Sequence, residues 1–319
     1  MRFLKTIALV CFLILCVSCK RDHLYYASSD TATVFVDPDW TQSAVTPNGV
    51  TIFAFRESDG SLYKRFPTVS ARDKSYIKLP QGCFTLVVMN DSPEEFDGRI
   101  EFIGEENIGT FQARGVGNGQ SMLEPDTLVV SVVRGLHIKP DQIDYYYDMP
   151  QTDISEESAI DVKSKPLPVV SKINVNVHVK GLKYARGTSS ACIRGLSGGY
   201  YMGLGHNALE QVTQDFVFSS RSFDPGSDSD GVIQASFLSF GIAGAAKAGN
   251  GYFLDIDFVL INGESYPVSL DVSDMISLDV SLVLSLDLEI ELPEVAGEEG
   301  GGFSTDINEW DDEIVDIPM

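Results

Sequence analysis

Ile173–Lys180 has the sequence INVNVHVK, and this stretch decides the fold. Its odd-numbered positions are apolar, and its even-numbered positions are Asn, His or Lys. A period of two places one apolar face and one solvated face on an extended strand, whereas a helix repeats its apolar face every three to four residues. The stretch therefore predicts a β-strand that covers a core on one side and leaves His178 in solvent.

Further strand-like runs lie on both sides of this stretch. Short apolar runs occupy 50–55 (VTIFAF), 83–89 (CFTLVVM), 128–133 (LVVSVV) and 253–261. The even-numbered positions from Leu278 to Leu292 are all Leu, Val or Ile. That run is longer than an ordinary strand, so it predicts a bend or two successive strands.

Turn residues separate the runs, and helical patterns are scarce. Asn262-Gly263 follows an apolar run and is the strongest hairpin signal. Only Ala208–Thr213 has a pattern that allows a turn or two of helix. Many short strands without alternating amphipathic helices predict an all-β protein built as a sandwich.

The length of 319 residues suggests two domains at roughly 150 residues each. The stretch Lys163–Pro168 (KSKPLP) is polar and contains prolines, and a new series of strands begins after it. We therefore predict an N-terminal β-sandwich over residues 19–165 and a C-terminal β-sandwich over residues 166–319.

The composition excludes a nucleic-acid partner. The chain has 46 acidic and 23 basic residues and a formal charge of −23. No Lys or Arg follows Lys247, whereas 18 acidic residues lie in 248–319. A phosphate backbone would be repelled by such a chain.

The first 18 residues have the features of a signal peptide. Arg2 and Lys5 precede an apolar run of twelve residues, Thr6–Val17, which is too short to cross a membrane. The run leads directly into Ser18-Cys19. A small residue followed by cysteine at this place resembles the bacterial lipobox, although an ordinary secretory signal with a chance cysteine is the alternative.

In the lipobox interpretation the chain is cut before Cys19, and the Cys19 sulfur carries diacylglycerol. Several acyl chains, such as palmitate, suffice for stable anchoring. Lys20 stands where an inner-membrane retention signal would have Asp. We therefore predict a lipid-anchored protein at the outer membrane.

The sequence offers no convincing catalytic or metal site. Gly195–Gly199 (GLSGG) matches the nucleophile-elbow pattern, but the required acid and histidine do not follow in order, and His206 is the only later histidine. The loop Asp224–Gly231 (DPGSDSDG) looks calcium-like, but Phe237 stands where an EF-hand has Glu. We predict no catalytic residue, no metal and no cofactor.

Two cysteines, Cys83 and Cys192, lie in the body of the protein beyond the lipobox. They could pair in an oxidising compartment. Because they fall in different predicted domains, two buried free thiols are the favoured prediction.

Four features of the sequence resemble the fimbrillin superfamily of Bacteroidales. They are the lipobox at Cys19, the strand Val169–Val179 leading into Ala191–Tyr201 (ACIRGLSGGYY), the acidic and strand-rich second half, and the tail Gly300–Trp310 (GGGFSTDINEW). The chain is most similar to the accessory branch, the fimbrium-assembly and anchor lipoproteins, many of which are known only as domains of unknown function.

This resemblance implies two tandem transthyretin-like Greek-key β-sandwiches in a surface-exposed outer-membrane lipoprotein. It implies fimbrial subunits as partners and no catalysis. Shaft and tip subunits of the superfamily polymerise by strand insertion after a protease trims the first strand at an Arg. Here Arg56, Arg65 and Arg72 are the candidates, and none lies in a clear long loop, which favours an anchor or accessory role.

The C-terminal tail is predicted to pair as a strand. Phe303, Thr305 and Ile307 alternate, Trp310 follows as an anchor, and Gly300–Gly302 forms a flexible tether before them. The tail either closes its own sandwich or is donated to the groove of a partner.

Two further predictions concern sugars. Thr31 and Thr127 each follow Asp and precede an apolar residue, which resembles the O-glycosylation acceptor of exported Bacteroidales proteins. The alternative function is a glycan- or ligand-binding surface lipoprotein, with Tyr145–Tyr147 and Tyr200–Tyr201 as candidate contact residues.

Overall fold

The computed structural model describes residues 30–43, 45–68, 75–96, 98–118, 121–143, 160–187, 189–243, 251–276 and 283–295. Within these ranges the chain forms strands and four short 3₁₀ helices, Trp40–Gln42, Pro93–Phe96, Pro140–Gln142 and Leu182–Tyr184. No helix in the described ranges has the length and apolarity to cross a membrane.

The described strands are β1 (Thr31–Pro38), β2 (Val50–Arg56), β3 (Leu62–Thr68), β4 (Ser75–Pro80), β5 (Gly82–Asn90), β6 (Ile100–Ile103), β7 (Gln112–Gly115), β8 (Ser121–Met122), β9 (Val129–Ile138), β10 (Ile160–Ser164), β11 (Leu167–Pro168), β12 (Ser171–Lys180), β13 (Ser190–Ser197), β14 (Gly199–Tyr201), β15 (His206–Asn207), β16 (Gln211–Val217), β17 (Ser220–Phe223), β18 (Gly231–Ser239), β19 (Phe253–Val259), β20 (Ser265–Asp271) and β21 (Val283–Glu291). The predicted all-β fold is therefore confirmed.

The strands form five sheets. Sheet A has the order β10-β1-β4, sheet B the order β11-β9-β5-β2-β3, and sheet C the order β15-β14-β7-β6. Sheet D has the order β20-β19-β13-β16-β8, and sheet E the order β17-β18-β12-β21. Most strand pairs are antiparallel, but β12 pairs in parallel with β21, β1 with β10, and β8 with β16.

Sheets D and E enclose a C-terminal core. Ile173, Val175, Val177 and Val179 of β12 are all buried in it, while His178 is exposed. The alternation seen in the sequence thus gives the predicted orientation of this strand. The opposite sheet contributes Leu254, Ile256 and Phe258 of β19, among other residues.

The central strands β2 and β5 of sheet B are buried on both faces, which explains why they have continuous apolar runs instead of alternation. Ile52 and Ala54 of β2 face sheet A and join an N-terminal core. Phe53 and Phe55 of the same strand face the other way and join a second cluster, here called the junction core.

The junction core draws on both halves of the sequence. It contains Phe53 and Phe111 from the first half, and Val170, Met202 and Phe240 from the second half. Sheet C also contains strands from both halves of the sequence, because β14 of the second half pairs with β7 of the first half.

The predicted boundary segment Lys163–Pro168 is engaged with the first half of the chain. Its first residues belong to β10, which pairs with β1, and Leu167–Pro168 forms β11, which pairs with β9. β12 begins three residues later, at Ser171. The division into units of 19–165 and 166–319 remains a prediction.

Two local predictions had opposite outcomes. The Asn262-Gly263 hairpin is confirmed: it joins β19 to β20, and Gly263 has a φ of 82° and donates its N–H to the Leu260 carbonyl at 2.8 Å. The helical turn over Ala208–Thr213 is wrong, because β16 begins at Gln211 and pairs with β13. Cross-strand pairing and burial of Phe216 outweigh a weak local helical preference.

Candidate interaction site

Several predicted sites lie outside the described residues. They are the lipidation site Cys19, the tail residues Phe303, Thr305, Ile307 and Trp310, the tyrosines Tyr145–Tyr147 and the cleavage candidate Arg72. The predictions that concern them stand as they were made from the sequence.

The two glycosylation candidates occupy different surroundings. The hydroxyl oxygen of Thr31, the first residue of β1, is buried. Thr127 is half-buried, and its carbonyl accepts a hydrogen bond from Asn90 Nδ2 at 3.0 Å. Modification at either threonine remains a prediction, and a glycan on Thr31 would require its hydroxyl to become exposed.

The GLSGG motif has a structural role. The Ser197 side chain is fully buried, and its Oγ lies 2.8 Å from the Gly199 carbonyl oxygen and 3.0 Å from that of Ala208, between which its one O–H donates. His206 is exposed, and its Nδ1 lies 2.9 Å from the carbonyl oxygen of Asn207. The hydroxyl is thus committed to holding a turn of the backbone.

The calcium-like loop is closed by its own hydrogen bonds. Ser227 Oγ accepts the N–H groups of Ser229 and Asp230, and Asp230 Oδ1 accepts the N–H of Gly181 at 2.8 Å. Within the described ranges, no three His, Cys, Asp or Glu side chains are placed to share a metal ion.

The remaining arginine and tyrosine candidates lie in strands. Arg56 ends β2, and Arg65 in β3 donates to Glu94 at 2.5 Å. Tyr200 and Tyr201 belong to β14 and are half-buried, and Tyr200 packs against the junction core. These two tyrosines therefore do not form a flat exposed platform.

A cleft of about 1070 Å³ lies between residues of both halves of the chain. We call it the β16 cleft. One wall is formed by Arg99, Leu123 and Glu124 from the first half of the chain, and the rest by strands β13, β16, β18, β19 and β20. Pairing register and strand alternation place Cys192, Asp215 and Asp255 side by side on the outer face of sheet D.

The wall of the cleft is fixed by contacts across the two halves. The Leu238 N–H donates to Glu124 Oε1 at 2.8 Å, and Ser121 Oγ donates to Asp215 Oδ2. Arg99 Nη1 donates to the Glu124 carbonyl at 3.4 Å. The cleft is thus a preformed surface with walls from distant parts of the sequence.

Asp255 has a well-defined set of partners on the cleft floor. It accepts Arg194 Nε at 2.5 Å, Arg194 Nη2 at 3.1 Å and Ser269 Oγ at 2.5 Å. The hydrogen bond from Arg194 is the main reason that the pKa of Asp255 lies below its usual value. Asp255 therefore remains a carboxylate at neutral pH.

Cys192 lies beside this carboxylate, with Sγ 3.9 Å from Asp255 Oδ2. Burial, together with the negative charges of Asp255 and Asp215, raises the pKa of the Cys192 thiol to about 11. Both body cysteines are free, which agrees with the prediction, but Cys83 is exposed and Cys192 is half-buried. The prediction that both are buried was wrong, because Cys83 lies near the start of β5, outside the cores.

Cys192 should react slowly with iodoacetamide at pH 8. The thiolate is the reactive form, and a pKa near 11 instead of 9.0 lowers its population about a hundredfold. The alkylation rate of Cys192, followed by peptide mass spectrometry, should rise about tenfold per pH unit toward pH 11. The variant Asp255→Asn should accelerate it, whereas a Cys192 rate equal to that of the exposed Cys83 at pH 8 would contradict the expectation.

Comparison with known sequences assigns the chain to a family. A family described as Domain of unknown function (DUF5119) matches residues 18–217, which is more than half of the chain. The chain belongs to this family. No curated protein matches the sequence.

Solved structures share the fold of this family member. A protein from Bacteroides ovatus, described as a "putative adhesin", is 20% identical with a TM-score of 0.55, over 88% of this chain and 99% of that one. A protein of the same description from Bacteroides thetaiotaomicron is 9% identical with a TM-score of 0.52, over 83% and 93%. The fimbrial anchor protein Mfa2 from Porphyromonas gingivalis is 15% identical with a TM-score of 0.49, over 82% and 90%. The two structures with TM-scores of 0.55 and 0.52 show that the chain shares their fold.

Sequence reasoning missed the β16 cleft. Asp215, Asp255 and Ser269 each occupy a polar position of an alternating strand, which is the pattern of an ordinary solvated face. Arg99 and Glu124 lie between 91 and 170 residues away from them in the sequence. The sequence shows that the second half is rich in acidic residues. Only the tertiary fold places some of these acidic side chains next to Arg99, Leu123 and Glu124 of the first half.

Proposed function

We propose that this family member is a surface lipoprotein of the outer membrane that serves as an anchor or accessory subunit of a fimbrium and catalyses no reaction. The observation that carries the proposal is the apolar run Thr6–Val17 leading into Ser18-Cys19. The fold supports it, because the solved proteins that share the fold include Bacteroides proteins described as adhesins.

The surface of the protein also suits an assembly role. β20 and β21 are edge strands of sheets D and E, so among the described strands each has a neighbouring strand on one side only. Their inward side chains, such as Val268 and Leu288, are only half-buried although they pack against the C-terminal core. Such edges accept an added strand from the same chain or from a partner.

Lipidation is the most direct test. Metabolic labelling with an alkyne fatty acid should mark the wild-type protein, and Cys19→Ala should abolish the label because no sulfur remains at the processing site. Cys83→Ala is the matched control and should keep the label. Equal labelling of Cys19→Ala and wild type would refute the lipoprotein assignment.

The fimbrial role is tested separately. Affinity capture of the full-length lipoprotein from solubilised outer membranes, with mass spectrometry, should recover a fimbrial subunit. If the set of captured proteins is the same after the fimbrial genes are deleted, the fimbrial role is wrong. That result would not affect the prediction of a lipid anchor.

A further inference from the structure

A small pocket opens into the C-terminal core beside Arg221, and we call it the Arg221 pocket. Its volume is about 80 Å³. That is several times the volume of about 10–15 Å³ that one water molecule needs, and it lies well below the volume of about 300 Å³ at which pockets for drug-sized ligands begin. The pocket therefore fits a ligand of only a few heavy atoms.

The floor of the pocket is apolar and comes from both sheets of the C-terminal sandwich. Phe258 of β19 belongs to sheet D, and Ile233 of β18 belongs to sheet E. Leu182 and Phe218 complete the floor. All of these side chains are buried. Such a floor favours the hydrocarbon part of a ligand, because apolar surface leaves water on binding.

The guanidinium of Arg221 lies at the mouth of the pocket. Its Nη2 donates to the carbonyl oxygens of Leu182 and Ala185 at 2.9 and 3.0 Å, and its Nη1 donates to that of Gly187 at 3.2 Å. These three bonds hold the side chain against the loop that precedes β13. A guanidinium has five N–H donors, so two remain for a ligand.

The charge of Arg221 has no anionic partner among the described residues. None of the ion pairs in this part of the chain includes it. Burial lowers the pKa of the guanidinium, which shows that the charge is partly desolvated. The side chain is nevertheless cationic at neutral pH. A partly desolvated cation without a counter-ion favours an anionic ligand.

Ser189 supplies a second polar group. It lines the pocket and is only 7% exposed, and its hydroxyl forms no hydrogen bond with a described residue. A buried hydroxyl without a partner is unfavourable, and a ligand oxygen would satisfy it. The guanidinium and this hydroxyl together fit an anionic group with two oxygens.

We propose that the Arg221 pocket binds a short-chain monocarboxylate of the size of butyrate. One carboxylate oxygen would accept an N–H of Arg221, and the other would accept the O–H of Ser189, in charge-assisted hydrogen bonds. The hydrocarbon chain would then cover the apolar floor, which inorganic phosphate or sulfate would leave empty. The inference rests neither on the fimbrial role nor on the lipid anchor.

The test is a titration of the full chain in detergent with butyrate, followed by methyl NMR. The Kd should be about 1 mM, which lies within the ligand efficiency of so small a molecule. The methyl signals of Leu182 and Ile233 should shift, whereas those of Ile52 in the N-terminal core should not. Butyramide and butylamine match butyrate in size but lack the anionic oxygens, so they should bind at least about tenfold more weakly. Absence of butyrate binding well above about 1 mM, or equal binding of butyramide, would show a packing void only and overturns the proposal.

Three variants assign the site. Arg221→Gln should weaken butyrate binding about tenfold, and Ser189→Ala about fivefold, since each removes a hydrogen bond to the carboxylate. Arg186→Gln is the matched control, because Arg186 is exposed on the same loop but does not line the pocket, and it should leave the Kd unchanged. If Arg221→Gln fails to fold because the loop loses its three bonds, Ser189→Ala decides the assignment. A Kd that Ser189→Ala leaves unchanged, or equal effects of the two arginine variants, refutes it.

Discussion

Replacing Phe111 by alanine is expected to lower the free energy of unfolding by about 3–5 kcal/mol. Phe111 is fully buried in the junction core, with its ring centroid 4.6 Å from that of Phe53 and 5.9 Å from that of Phe55. Its removal leaves a cavity between sheets whose backbones are tied together, since the Met202 N–H donates to the Phe111 carbonyl at 2.9 Å. Urea unfolding followed by circular dichroism measures the effect.

The exposed residue Leu209 provides the control, because Leu209→Ala at a side chain 76% exposed should change the free energy of unfolding by less than about 0.5 kcal/mol. A loss below about 1 kcal/mol for Phe111→Ala would mean that the junction core is not close-packed.

The junction core also predicts that the two halves unfold together. Phe240 comes from the second half, yet it belongs to the same buried cluster as Phe53 of β2. Phe240→Ala should therefore speed hydrogen exchange in β2 as well as in β18. Exchange in β2 that stays at the wild-type rate would show two independent units, as the predicted boundary near residue 165 implies.

The fold class could be predicted because local and global signals agree in most strands. The alternation in Ile173–Lys180 and the turn at Asn262-Gly263 each indicate a single local structure, and the fold uses both. The run at 50–55 shows the limit of this reasoning. Its continuous apolar character predicted a strand. The cause of that character is burial of the strand on both faces, which follows only from the three-dimensional packing of the junction core against it.

The candidate site could not be predicted in the same way. The Asp215 and Asp255 side chains flank Cys192 because β16 and β19 both pair with β13, and Leu123 joins them because it follows β8, which pairs with β16. Each residue alone is an ordinary polar or apolar surface residue. The sequence motifs that did attract attention, GLSGG and DPGSDSDG, are used to close turns through their own hydrogen bonds.

Deleting residues 303–319 is expected to lower the thermal midpoint of the monomer by about 4–8 °C, which corresponds to a loss of about 2 kcal/mol. The tail lies outside the described residues, and its alternating Phe303 and Ile307, with Trp310, suit an added strand. Burial of such side chains contributes about 1.5–3 kcal/mol each before the cost of ordering the backbone is subtracted. The half-buried side chains on the β20 and β21 edges supply an apolar surface for it.

Substitution of Phe303, Ile307 and Trp310 together by serine should reproduce the lower midpoint in the full chain, whereas Thr305→Ser should leave it unchanged. Differential scanning calorimetry of the four proteins gives the comparison. If the tail is instead donated to a partner, the monomer midpoint stays constant and the truncated protein disappears from outer-membrane fimbrial complexes, because the partner's groove loses its strand. A deletion that changes neither the midpoint nor the complexes would show that the tail does not pair as a strand. The two measurements test the two predicted positions of that strand, which are the chain's own sandwich and the groove of a partner.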